Sequence, residues 1–161
     1  PGMEVRSPED LAKVERLIIP GGESTTVGML LDRYGLGSAI RERAAQGMPI
    51  WGTCMGMILL ASRVQGRSPY RLELLDISVE RNAFGAQVHS FEAEVPVSFL
   101  SEPVLGVFIR APIVTEVGPG VEVVSEFDGK VVGVRRGSVL ATSYHPELTD
   151  DRRLHAWFCG V

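Results

Sequence analysis

Long apolar runs are missing from this chain. No stretch approaches the roughly 18 uninterrupted apolar residues of a membrane-spanning helix, although 45% of the 161 residues are apolar. A helical span is therefore not expected, while one domain of this length has enough apolar side chains for an adequate core. Cysteine is scarce. Cys54 and Cys159 are the two present; they are too few for a disulfide scaffold and read as reduced thiols of a cytoplasmic protein. No CxxC or HxxxH spacing occurs, so no metal site is expected. Positive charge is not in surplus either. The net charge of −4 argues against nucleic acid as the main partner, and the pairs Arg135-Arg136 and Arg152-Arg153 read as solvated faces of a strand and a helix. No basic leader precedes an apolar run, so no secretion signal is expected. Pro1-Gly2 reads as a turn following an upstream element.

What is present begins with helix and strand signals in alternation. Ser7-Pro8-Glu9-Asp10 is a helix start, a capping serine followed by proline and two acids, with the helix expected to run to about Val14. Leu17–Ile19 and Pro49–Thr53 read as short buried strands of a parallel sheet. Helices are expected from Ser24 to about Tyr34, from Ser38 to about Gly47 and from Met55 to about Ser62. Beyond Leu72 the pattern changes to strands, at 74–81, 91–97, 107–110, 121–126, 131–136 and 139–143. Asp128-Gly129 signals a hairpin between two of them. A last helix spans about Asp151 to Phe158. No internal repeat or low-complexity linker is evident, so residues 1–161 read as a single domain. Alternation followed by hairpins predicts an α/β fold, a three-layer sandwich around a mixed, mostly parallel sheet.

Three constellations carry chemistry. Gly52-Thr53-Cys54-Met55-Gly56, between a predicted strand and a predicted helix, is the thiol version of a nucleophile elbow. Its glycines are needed because side chains there would collide with neighbouring backbone. The turn puts the Cys54 sulfur at a helix N-terminus, where the dipole and free N–H groups favour a thiolate; the alternative is a buried structural cysteine. His145-Pro146-Glu147 follows a strand. His145 can serve as the base that later protonates a leaving amine, and Glu147 can hold the ring in one tautomer if both point to one side of an extended segment. Pro20-Gly21-Gly22-Glu23-Ser24-Thr25 puts backbone N–H groups at a pocket edge, suited to an oxyanion or a carboxylate, unless it is an ordinary turn capped by Ser24. His89, His155 and Cys159 read as structural or solvent-facing.

Together these pieces resemble the class I, triad-type glutamine amidotransferases. Gly21-Gly22-Glu23-Ser24-Thr25-Thr26, Gly52-Thr53-Cys54, Glu80-Arg81-Asn82-Ala83-Phe84-Gly85, Phe108-Ile109-Arg110-Ala111-Pro112 and Ser143–Thr149 narrow the resemblance to the glutaminase subunits of pyridoxal 5'-phosphate synthases. It covers nearly the whole chain. The resemblance implies a flavodoxin-like sandwich and a role for each matching position. Cys54 would be the nucleophile, His145 the general base and acid, and Glu147 the residue that orients it. Gly22, Glu23 and Ser24 would contact glutamine, with Glu23 suited to its ammonium, and Arg81, Ile109 and Arg110 would complete the pocket. The N–H of Met55 and one from the Gly21-Gly22 loop would hold the oxyanion. The expected partner is a (β/α)8 barrel synthase, which receives the ammonia and builds pyridoxal 5'-phosphate from ribose 5-phosphate and glyceraldehyde 3-phosphate. No cofactor or metal is expected on this chain.

The sequence departs from the family pattern in three places. The family begins with a strand and a helix, carrying a Leu-Gln-Gly loop, that are expected upstream of Pro1. Met55 stands where alanine is common, and Glu73 where glycine is common, the latter read as surface variation. Two rival readings keep the triad: a glutaminase subunit feeding another synthase, and a small cysteine peptidase of similar fold. A third, a non-catalytic domain sharing the sandwich, would have no need of it.

Overall fold

The computed structural model describes residues 2–22, 24–33, 35–66, 70–81 and 90–160, the side chains of Ser24, Thr25, Thr26, Leu30 and Arg33 excepted. Ser7 caps the first helix: its Oγ accepts the Asp10 N–H at 3.1 Å, and Pro8 takes the first position, where no N–H is required. This helix, α1 (Pro8–Leu11), ends before the expected Val14. The reason lies 30 residues away. Arg43 donates to the carbonyls of Leu11 at 2.8 Å and Val14 at 2.9 Å, so both are satisfied without a further helical turn. Arg43 belongs to α3 (Leu36–Ala45), which starts two residues before Ser38, after Gly35 in the left-handed region. Before it runs α2 (Ser24–Arg33); the expected last residue, Tyr34, lies outside the described residues.

The sheet is mixed. Strand β1 (Leu17–Ile19) pairs in parallel with β2 (Ile50–Thr53), and β2 pairs in parallel with β10 (Val139–Thr142). Beyond β10 come β9 (Lys130–Arg136), β7 (Ile113–Val117) and β4 (Leu75–Glu80), each antiparallel to the strand before it, then β3 (Ala61–Val64), parallel to β4. Strand β8 (Glu122–Phe127) also pairs with β9. Asp128 and Gly129, which join them, both have positive φ, 53° and 73°, as a two-residue hairpin turn demands. Separate from this sheet, β5 (Ser90–Val95) and β6 (Val104–Ile109) form an antiparallel ribbon.

Two further elements differ from the sequence reading. Helix α4 (Met55–Leu60) stops at Leu60, and the next four residues become β3. All six residues of α4 are buried, so no polar face marks where the helix should end; pairing with β4 decides it. Strand β7 has no counterpart in the reading. Its β-branched run Ile113-Val114-Thr115 was the available signal, lost beside Pro112.

Side-chain alternation along β2 and β10 divides two cores. Ile50, Val139 and Ala141 face the helices, in a cluster with Leu11, Ile40, Met57, Leu59 and Leu75. Trp51 and Leu140 face the other way, packing with Phe108, Tyr144, Leu154 and Phe158 from the ribbon, the chain after β10, and the last helix, α5 (Arg153–Cys159). These are the three expected layers, with a ribbon and one helix as the third. Among the described residues no helix is long and apolar enough to cross a membrane.

The register puts Ile19 opposite Gly52, and Thr53 opposite Thr142. The carboxyl ends of three adjacent parallel strands therefore open onto one patch, where ligands bind in sheets of this kind.

Candidate active site

Cys54 stands at the bend between β2 and α4 with φ 52° and ψ −103°, a backbone region that non-glycine residues rarely occupy. The bend is held from both sides. The Cys54 N–H donates to the Thr142 carbonyl at 2.8 Å, and the Cys54 carbonyl accepts the Met57 N–H at 3.0 Å. The flanking glycines are required sterically. A Cβ on Gly56 would overlap the carbonyl oxygen of Ile19, and one on Gly52 would stand 2.5 Å from the backbone of Gly56.

His145 follows β10 and is buried. Its Nδ1 lies 2.5 Å from Glu147 Oε1. An Nδ1–H donated to that carboxylate fixes the tautomer and leaves Nε2 free to act as base. The connection is not the extended segment that the sequence suggests. Pro146–Leu148 is a single 3-10 turn, with Pro146 at its first position, and it curls the Glu147 carboxylate back to the ring.

Burial of the His145 ring opposes its protonation, but hydrogen bonds to Cys54 and Glu147, and then the charges of both, outweigh it and push the pKa up to about 9. For Glu147 burial acts upward, yet the bond to His145, with backbone and charge contributions, holds the carboxyl below its ordinary value. A protonated imidazole held against an ionised Glu147 carboxylate is the state these two shifts favour.

Strand β6 meets the main chain of His145 and the sulfur of Cys54. Val107 and His145 form an antiparallel bridge, the His145 N–H donating at 2.8 Å and the Val107 N–H at 3.4 Å. Two residues on, the Ile109 carbonyl lies 3.7 Å from Cys54 Sγ and accepts from the thiol. This role of β6 is missing from the sequence reading. Its signal was Gly106, a glycine inside an apolar strand: a Cβ there would stand 2.9 Å from the Tyr144 ring.

The loop after β1 closes the site. A Cβ on Gly21 would stand 2.5 Å from His145 Cε1, and one on Gly22 would stand 3.5 Å from Met55 Cε. Cys54, His145, Glu147, Gly21, Gly22, Met55 and Ile109 thus share one neighbourhood. Arg81 directly follows β4. It is half-buried, and its Nε and Nη2 have no hydrogen-bond partner among the described residues. Arg110 is exposed with φ 44°. Neither arginine bonds to the cysteine–histidine–carboxylate group among the described residues. Glu23 lies outside the described residues, as do Asn82–Gly85 and His89; Ser24 is the first residue of α2. Cys159 is exposed. His155 is half-buried with its ring 4.7 Å from Trp51, and its charge contributes to holding Glu147 ionised. Among the described residues no His, Cys, Asp and Glu cluster could hold a metal.

Known proteins share this sequence and shape. The profile of the SNO glutamine amidotransferase family matches residues 1–160. Pyridoxal 5'-phosphate synthase subunit PdxT of Niallia circulans is 50% identical over 160 residues, 99% of this chain and 84% of that protein. The protein of the same name from Herpetosiphon aurantiacus is 54% identical over 166 residues, covering 99% of this chain and 86% of that one. A crystal structure of a glutamine amidotransferase superposes with a TM-score of 0.94 at 48% identity, covering 98% of this chain and 84% of that one. A glutamine amidotransferase from Thermotoga maritima, 14% identical with a TM-score of 0.58 over 84% of this chain and 57% of that one, shares the fold alone.

Proposed function

The chain belongs to the SNO glutamine amidotransferase family, and from that membership we propose that it is the glutaminase subunit of a pyridoxal 5'-phosphate synthase, hydrolysing L-glutamine to L-glutamate and ammonia. The observation that carries the catalytic roles is the 2.5 Å bond from His145 to Glu147 beside a cysteine on a strained elbow. The imidazole takes the Cys54 proton, and the sulfur attacks the side-chain amide carbon of glutamine. The Met55 N–H and one from the Gly21–Gly22 loop hold the tetrahedral oxyanion; one such donor is worth roughly 3–4 kcal/mol. His145 protonates the departing ammonia, leaving a glutamyl thioester on Cys54. Water activated by His145 then releases glutamate and restores the thiol.

Recognition of glutamine needs partners for its α-ammonium and α-carboxylate. Glu23 is the anion for the first, with Gly22 and Ser24 beside it. Arg81 supplies unpartnered N–H groups suited to the second, and Ile109 and Arg110 complete the pocket. The ammonia goes to a barrel synthase partner, and no step needs a cofactor on this chain. The protein works in the cytoplasm, without membrane or nucleic acid.

The test is glutamate release from glutamine with and without a pyridoxal 5'-phosphate synthase barrel. Stimulation by that barrel is expected. Stimulation only by the synthase of a different product rejects the assignment, and a Cys54→Ala variant as active as the parent rejects the mechanism.

A further inference from the structure

The Gly21–Gly22 loop lies between two side chains from different parts of the fold. On one side is the His145 ring, against Gly21. On the other is the terminal methyl of Met55, 3.5 Å from where a Cβ on Gly22 would be. Met55 is 3% exposed and packs in the core between sheet and helices, whereas Gly22 is exposed. The Met55 side chain therefore reaches from the core to the rim of the site. Because Gly22 has no side chain, the methyl faces the loop's main chain across the space a Cβ would fill.

That main chain has little to fix it from within. Gly22 has φ 153°, a conformation that favours glycine, and two successive glycines leave the peptides of the loop easily rotated. An oxyanion donor is useful only when its N–H is aimed in advance. The aim of a donor in so free a loop depends on what lies against it. A methionine can deliver that pressure, being long and unbranched enough to fill an irregular gap. An alanine at the same position ends at Cβ and leaves the gap open.

We propose that the Met55 side chain is a positioning residue, bracing the Gly21–Gly22 peptides so that their N–H is aimed at the same oxyanion as the N–H of Met55 itself. One residue then supplies one donor with its backbone and holds the other with its side chain. This rests on the glutaminase reading above.

Two reagents separate the brace from the nucleophile. A diazoketone analogue of glutamine, 6-diazo-5-oxo-L-norleucine, alkylates the sulfur with loss of dinitrogen. It reacts well only when its carbonyl is polarised in the oxyanion site. Iodoacetamide alkylates the same sulfur by displacing iodide and needs no such site. Met55→Ala is expected to slow diazoketone inactivation about tenfold, short of the 10²–10³ for outright loss of a donor. It should lower kcat for glutamine to a similar extent with KM little changed, and leave the iodoacetamide rate within about twofold of the parent. Met55→Leu, which refills the gap, is expected to recover most of both losses. An unchanged diazoketone rate in Met55→Ala overturns the proposal. So does an equal slowing of both reagents, which marks a collapsed elbow. A parent protein that, with the barrel synthase present, reacts with iodoacetamide but ignores the diazoketone sinks the glutaminase reading instead.

Discussion

Cys54, Glu73, Arg110 and Asp128 have positive φ without being glycine. Asp128 makes a hairpin turn, Cys54 makes the elbow, and Arg110 follows the residue whose carbonyl meets the sulfur. Glu73 has no such reason. Among the described residues its charge partner is Arg71 at 3.5 Å, and its side chain is half exposed. The left-handed backbone costs a side chain about 1–2 kcal/mol, the pair returns little, and glycine loses part of the difference through unfolded-chain entropy. Glu73→Gly is therefore expected to stabilise the fold by about 0.5–1 kcal/mol, measured by urea unfolding; a destabilised variant contradicts this. Glu147 is the second single residue with a sharp expectation. Glu147→Gln removes the charge, and weakens the bond, that hold the His145 proton, so the imidazole should titrate clearly below about 9. Glutamine turnover should fall by roughly 10²–10⁴. Titration followed by NMR of the ring would show it, and a midpoint equal to the parent's would remove Glu147 from the role.

Elements are held by glycines whose replacement separates packing from chemistry. In Gly56→Ala the new methyl meets the carbonyl of Ile19 across the α4–β1 contact. Neither backbone has room to give, so a stability loss of roughly 2–4 kcal/mol is expected. In Gly21→Ala the new methyl meets the His145 ring at 2.5 Å, at a loop with more freedom. Here turnover should collapse while urea stability changes by less than about 1 kcal/mol, and the reverse order of effects would contradict the assigned contacts. These glycines also explain what was legible. The elbow, the His-Pro-Glu run and the strands leading into both could be read because their requirements are local: flanking glycines, a proline, short apolar runs. The early end of α1 could not, since Arg43 decides it from another helix. Nor could the conversion of Ala61–Val64 to a strand, which pairing with β4 decides. The 3-10 turn at Glu147 was hidden as well. Extended and tightly turned chain can both bring a carboxylate two residues on to a ring, and the sequence does not choose between them.

For the molecule as a whole, two buried groups set the alkaline limit. The His145 pKa rises from 6.5 to about 9 on folding. The stability this contributes is fully present below 6.5 and is lost as pH rises through about 9. Tyr144 is wholly buried, bonded to Ser125 at 2.9 Å, and its phenol is pushed up from 10.0 to about 12 by burial, which the Ser125 bond only partly offsets. Folded and unfolded chains then part again between 10 and 12, with the same sign. Denaturant midpoints across pH should therefore fall in two stages. His145→Gln is expected to abolish the first stage alone. Tyr144→Phe should abolish the second, while leaving the Ser125 hydroxyl unsatisfied at a cost of about 1–3 kcal/mol. A single featureless decline in the parent would contradict the pairing of these groups with the two stages.

One strand, Val104–Ile109, leans on the histidine at Val107 and on the sulfur at Ile109. The main chain of the histidine and the sulfur are thereby measured from one ruler. When the ribbon drifts with thermal motion, it carries the pair along as common-mode displacement, and the gap across which the proton must hop is shielded from that noise.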